Sequence, residues 1–175
     1  AYHPSLSCRL IDYNFPTVDI HDHMAGLYGV SYAKSKELTF KQLYGGVFKQ
    51  YEHLEYFKKI SIYIRELWDK FQSDGFVKCP VSNFVYSKEN LDEMNPQKLF
   101  NYLLQNLETS SNVCILWDVL TLLRGKQTKL VLYTYDSFLF DWDKEEIEVM
   151  EEIKKIFTKY KFNIKIKQGY DYDFR

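Results

Sequence analysis

Two runs rich in β-branched and aromatic residues, Lys129–Tyr135 and Phe138–Trp142, stand almost back to back. They constrain the fold more than any other feature. Asp136-Ser137 separates them, and so short a connection predicts a tight antiparallel hairpin with Asp136 at its tip. Downstream, Asp143 and Glu146 have the spacing of a capping box. They predict a helix to about Tyr160, with Ile147, Met150, Ile153, Ile156 and Phe157 inward. Phe162–Lys167 then alternates as a returning strand, closed by Gln168-Gly169. A hairpin, a helix and a returning strand make an antiparallel layer, and the periodicity upstream of them is helical. The fold class expected is therefore α+β.

Upstream, residues 4–13 predict a short helix opened by Pro4 and Ser5, with Leu6, Leu10 and Ile11 inward. Asn14-Phe15-Pro16 breaks it. Asp19 reads as an N-cap for a helix to Tyr28 that Gly29 ends. A third helix spans about Ala33 to Tyr44. Tyr51–Phe71 carries an apolar stripe of Leu54, Phe57, Ile60, Ile64, Leu67, Trp68 and Phe71, opposed by Glu55, Lys58, Lys59, Glu66 and Lys70. Phe76–Cys79 and Asn83–Tyr86 predict a small hairpin around Pro80. Asn95-Pro96 opens a long helix to about Leu123, with Leu99, Leu103, Leu107, Cys114 and Trp117 inward. The polar run Glu108–Asn112 interrupts its apolar pattern, marking a kink or a surface that meets a polar partner.

Composition narrows the function classes. The 175 residues are 46% apolar and 18% aromatic, enough for a packed core, and the net charge of −1 gives no global basic footprint for nucleic acid. Cys8, Cys79 and Cys114 have neither disulfide nor zinc-cluster spacing, which fits a reducing, cytoplasmic setting. No apolar run approaches the roughly 18 residues of a membrane span. The opening Ala1-Tyr2-His3-Pro4 reads as the interior of a longer polypeptide.

Chemistry concentrates in Lys36-Glu-Leu-Thr-Phe40-Lys-Gln-Leu-Tyr44-Gly45-Gly46. Residues four apart on a helix drift by only about 40°, so Lys36, Phe40 and Tyr44 share a face. A cation with two aromatic planes suits a ligand carrying phosphate at one end and a flat base at the other. The plainer alternative is a core face with the lysine stem lying along it. The segment Asp19-Ile20-His21-Asp22-His23 invites a metal reading. On a helix, however, residues two apart diverge by about 200° and cannot chelate one ion together; packing or helix-start hydrogen bonding is the default there.

In this order of parts the chain resembles the C-terminal portion of a family A (Klenow-like) DNA polymerase of phage type. Asp19-Ile20-His21, with Ala25 and Tyr28-Gly29, is similar to the segment before that family's nucleotide-binding fingers helix. Lys36, Phe40, Tyr44 and Gly45 match the helix itself, motif B. Asp136 stands where motif C carries its central aspartate on a palm hairpin. The stretch around Glu108 falls where the family has a Gln-Gly-Thr/Ser run near the primer. The last helix and strand, with Gly169 and Tyr172, resemble the closing palm segment. The resemblance implies palm for residues 1–15, at the end of the motif A region, fingers for 16–92, and palm again for 93–175.

The activity implied is template-directed transfer of a dNTP to a primer 3′-hydroxyl with two Mg²⁺ ions. Asp136 would be a catalytic metal ligand. Lys36 would be catalytic and bind the triphosphate. Phe40 would pack on sugar and base, and Tyr44 would stack near the templating position. His3, Tyr32 and Lys34 would complete the nucleotide site; Tyr44, Gly45, Glu108 and Thr109 would line the DNA. The partners implied are primer–template DNA, dNTP, the N-terminal remainder of the same polypeptide and replisome proteins, in the cytoplasm of a bacterial host.

The departures are specific. Tyr32 replaces the motif B arginine, and Lys34 approaches from another direction. Tyr135 and Ser137 replace His and Glu of motif C. Glu108 replaces a neutral Gln, and His3 replaces the sugar-sensing glutamate. The motif A aspartate falls a few residues before Ala1, so the fragment alone is not expected to polymerise. A degenerate polymerase-like fold acting as a binding or interaction module is the alternative. A metallohydrolase built on residues 19–23 ranks last, because it leaves motif B and the Asp136 hairpin unexplained.

Overall fold

A computed structural model describes residues 2–16, 19–134, 137–160 and 164–171. The fold is α+β, with helices α1 (Tyr2–Ile11), α2 (Ile20–Tyr28), α3 (Tyr32–Gly45), α4 (Glu55–Asp74), α5 (Pro96–Leu122) and α6 (Ile147–Lys159). Strands β1 (Phe76–Lys78) and β2 (Val85–Ser87) form one antiparallel pair; β3 (Lys129–Thr134) and β4 (Ser137–Asp141) form another. The chain packs as two compact units, Ala1–Ser111 and Asn112–Arg175, and the division falls within α5.

In the first unit the caps expected at Asp19, Gly29 and Asn95 form, and Ser31 adds one that was not expected. Asp19 accepts hydrogen bonds from the amides of His21 and Asp22 at the start of α2, and Gly29 closes it at φ 67°. Ser31 caps α3. Asn95 accepts from the Lys98 amide at 2.8 Å and opens α5. Helix α4 starts later than its sequence pattern predicts. Lys49–Tyr51 forms a separate 3₁₀ turn and Leu54 is extended, so regular helix begins at Glu55. Gly75, at φ 77°, releases the chain into the β1–β2 hairpin, where Val77 opposes Tyr86.

The core of this unit is hydrocarbon around α4 and the first half of α5. Phe57, Ile60, Leu99, Phe100 and Leu104 are completely buried, with Leu6 of α1 and Met24 of α2. Each such side chain contributes about 1.5–3 kcal/mol by leaving water. Tyr56 is also buried, its hydroxyl 2.7 Å from the Ser7 hydroxyl; the apolar stripe alone does not mark it. Leu54, Leu67 and Trp68 are only half-buried.

The second unit corrects several expectations. Trp117 is 66% exposed, because the buried seam of α5 after Ser111 runs through Ile115 and Val119. Ile147 is 64% exposed, and Val149 with Ile153 forms the inner side of α6. Glu146 makes no capping box. Its carboxylate accepts from the amides of Gln127 and Thr128 at 3.0 and 2.9 Å, bracing the approach to β3. Those amides, the Thr128 one first, hold its carboxyl below the usual range. Residues 164–169 are irregular rather than a returning strand. Ile164 and Ile166 are both exposed, and among the described residues the β3–β4 sheet has two strands. In β3–β4, Thr134 pairs with Ser137. Ser137 is therefore a strand residue, not half of the connection. Asp136 and Tyr135 lie outside the described residues, as does Tyr172.

Candidate functional site

The site is built on α3. Its buried stripe is Ser35, Thr39, Gln42 and Leu43, three polar residues and one leucine. A polar stripe can be buried only if each group finds a partner. The Ser35 hydroxyl donates to the His21 carbonyl at 2.8 Å. The Gln42 amide donates to the Tyr28 hydroxyl at 3.2 Å, and that hydroxyl lies 3.1 Å from Thr39 Oγ1. The Gln42 carbonyl oxygen accepts from the Phe48 amide at 3.3 Å. These bonds tie α3 to α2 and fix its rotation about its own axis.

That rotation sets the neighbouring face. Phe40 and Tyr44 lie half-buried beside the stripe, and Lys36 is exposed. The plainer reading, aromatics enclosed in the core, does not describe them. The two rings are nearly parallel, with centroids 6.0 Å apart and planes 7° apart. His3, from α1, stands edge-on to both, at 5.6 Å from Tyr44 and 6.4 Å from Phe40. Its Nδ1 is hydrogen-bonded to the Tyr44 hydroxyl, and its Nε2 donates to the Glu108 carboxylate at 2.5 Å. Asn101 donates to the Tyr44 carbonyl at 3.0 Å.

Of the residues singled out in the sequence, the structure brings His3, Phe40, Tyr44 and Glu108 together. Lys36 lies along the same helix face and makes no ion pair among the described residues. Lys34 is turned elsewhere: with Lys41 it clasps Glu37, at 2.9 and 2.6 Å. Those two ammonium groups, Lys41 first, pull the Glu37 carboxyl down to about 2. Tyr32 is half exposed and meets the His21 ring edge-on. Gly45 is the exposed last residue of α3, and Thr109 is exposed beyond Glu108.

Two residues of the cluster escaped the sequence reading as site members. Asn101 is a polar residue among the leucines of α5, and that interruption was the available signal. His21 is the other. It is 1% exposed, its ring 5.7 Å from Phe40, and neither ring nitrogen has a hydrogen-bond partner among the described residues. Burial, with a smaller contribution from the Lys36 charge, pushes its pKa down to about 4. A neutral imidazole is thus held beside the aromatic face with both nitrogens unused. His23, two residues on, turns instead to Phe15, as expected of side chains about 200° apart on a helix. Among the described residues no three His, Cys, Asp or Glu side chains converge to hold an ion, and no helix is long and apolar enough to cross a membrane.

No protein-family model matches the sequence, and no curated protein matches it. Among solved structures the fold is similar to the POL domain of Pol1 from M. smegmatis, solved in complex with DNA primer-template and dNTP. The TM-score is 0.71 at 15% identity, over 89% of this chain. The chain spans 34% of the length of that structure. At this identity the likeness establishes a polymerase-like fold.

Proposed function

We propose that this chain is a fingers and palm portion of a family A DNA polymerase that adds dNTPs to a primer 3′-hydroxyl under template direction. In this reading residues 1–15 and 93–175 are palm and 16–92 are fingers. The observation that carries the reading is the face of α3. One exposed cation and two nearly parallel, half-buried aromatic rings share a face held by a hydrogen-bonded seam, on a polymerase-like fold. Its chemistry matches an incoming nucleotide paired with a template base.

Each residue then has a role that its surroundings permit. Lys36 presents its ammonium group at the exposed start of the face and would neutralise the triphosphate. Phe40 packs on the sugar and base, and Tyr44 stacks at the templating end. His3 and Tyr32 would flank the nucleotide, and Gly45 and Thr109 would face the DNA; Lys34, paired with Glu37, and Glu108, turned onto His3, are held away from the direct contacts first expected of them.

Mg²⁺ is the ion this reading implies. The described residues do not by themselves fit a two-ion site. They gather no ligand trio. Ser137 replaces the second motif C carboxylate, and its hydroxyl donates to the Thr134 carbonyl at 3.2 Å. The reading keeps Asp136 as one ligand and assigns the other carboxylate to polypeptide outside these 175 residues. The alternative, a polymerase-like fold that binds without catalysing, draws on this loss and on Tyr32 in place of an arginine.

Photocrosslinking with an azido-dNTP on a primer–template tests the reading. The label is expected within residues 32–46. Lys36→Ala is expected to reduce it about tenfold, the scale of a lost charge-assisted contact. Label distributed elsewhere, or unchanged in Lys36→Ala, would remove α3 from nucleotide binding.

A further inference from the structure

Tyr44 is gripped at both ends by α5. Asn101 holds its backbone carbonyl, and Glu108 reaches its hydroxyl through the His3 ring. Asn101 and Glu108 are seven residues apart, two helical turns, and so project from one side of α5. The two grips fix where the long axis of the phenol points, and the ring lies nearly parallel to Phe40.

The proton arrangement follows from what each atom can do. An ionised carboxylate only accepts, so His3 Nε2 must carry a hydrogen toward Glu108. In the neutral ring Nδ1 is then an acceptor, and the Tyr44 hydroxyl donates to it. In the protonated ring Nδ1 donates to the same oxygen. The contact persists in both states, but its geometry depends on the carboxylate that fixes the ring.

We infer that Glu108 is a positioning residue for Tyr44, acting through His3 as a relay that holds the phenol ring where a base would stack. The functional consequence rests on the nucleotide-site reading of α3; the relay itself does not. It also gives the acidic side chain at position 108 a partner within the protein. The charge is directed inward onto an imidazole at 2.5 Å, with the Glu108 side chain 24% exposed.

Imidazole ¹⁵N NMR of the 175-residue chain tests the relay directly. The wild type is expected to show a slowly exchanging His3 Nε2 proton. Glu108→Gln, whose amide oxygen still accepts, should retain it, and Glu108→Ala should lose it. Tyr44→Phe should leave the Nε2 proton in place and shift only Nδ1. An Nδ1–H tautomer in the wild type, or an Nε2 proton unchanged in Glu108→Ala, overturns the relay.

Azido-dNTP labelling supplies the functional arm. Glu108→Ala and Tyr44→Phe should each weaken labelling about three- to tenfold, as expected for one lost hydrogen bond. The double variant should be no weaker than Tyr44→Phe alone, because both changes break one connection. Fully additive losses overturn the positioning role. No labelling of any variant overturns the nucleotide-site reading instead, and the NMR arm then decides the relay alone.

Discussion

Helices α3 and α4 belong to the same unit and are held in opposite ways. Helix α4 buries Phe57, Ile60, Ile64 and Phe71, a seam of hydrocarbon. Helix α3 buries Ser35, Thr39 and Gln42 with a single leucine. Apolar burial is strong but non-directional. Hydrogen bonds are individually weaker and fix orientation. The contrast teaches that stability and aim come from different places: α4 holds the unit together, and α3 is pointed.

The largest expected effect is on the hydrocarbon side. Phe57→Ala should cost about 3–5 kcal/mol in urea unfolding, the range for emptying a buried aromatic site. A loss under about 1 kcal/mol would mean that the α4 seam can collapse, and the contrast with α3 would fail.

Next comes His21, buried against the aromatic face with Lys36 and Asp19 as its charged neighbours. Its folded pKa of about 4 lies below the value of 6.5 for free histidine. The folded state therefore binds fewer protons than the unfolded chain in that window. Stability is full above pH 6.5, falls as pH drops toward 4, and levels off below. The total loss is up to about 3 kcal/mol. Unfolding of wild type and His21→Phe between pH 7.5 and 4 should diverge by that amount; parallel curves would show that His21 gains its proton without penalty.

A modest effect in stability should be the sharpest in aim. Gln42→Leu keeps side-chain size but leaves the Phe48 amide and the Tyr28 hydroxyl short of a partner, at a cost of about 1–3 kcal/mol. Azido-dNTP labelling should nevertheless fall more for Gln42→Leu than for the core variant Ile60→Val, which costs about 0.5–1.5 kcal/mol. Equal labelling would mean that the polar seam does not orient the face.

The legible parts of the molecule are those written in local chemistry. Asp19 and Gly29 bound α2 because a capping oxygen and a positive φ are needs of single positions. The α4 stripe was readable because its other face is charged. The phase of α5 was not, because Val113, Trp117 and Leu120 are as apolar as Ile115 and Val119, and spacing cannot choose between them. Ile147 misled in the same way. Glu146 had the spacing of a local cap, yet its acceptors serve amides 18 and 19 residues away; spacing does not distinguish near donors from far ones. The alternation of Ile164 and Ile166 resembled a strand, but a strand also requires a neighbour. In the site, the shared face of Lys36, Phe40 and Tyr44 followed from helical pitch. The contact of His3 with Glu108 spans 105 residues and no periodicity encodes it.

The hydrogen-bonded seam also limits how α3 can move. Advancing it by one residue would turn it about 100° and break its bonds to the His21 carbonyl and the Tyr28 hydroxyl at once. A helix set in hydrocarbon can roll in place; a pegged one has to be carried. Any swing of the lysine and its two rings would therefore take α2 along as a two-helix paddle, and would also have to release the Asn101 and His3 contacts to Tyr44 and the Phe48 amide hydrogen bond to Gln42 that spans Gly46.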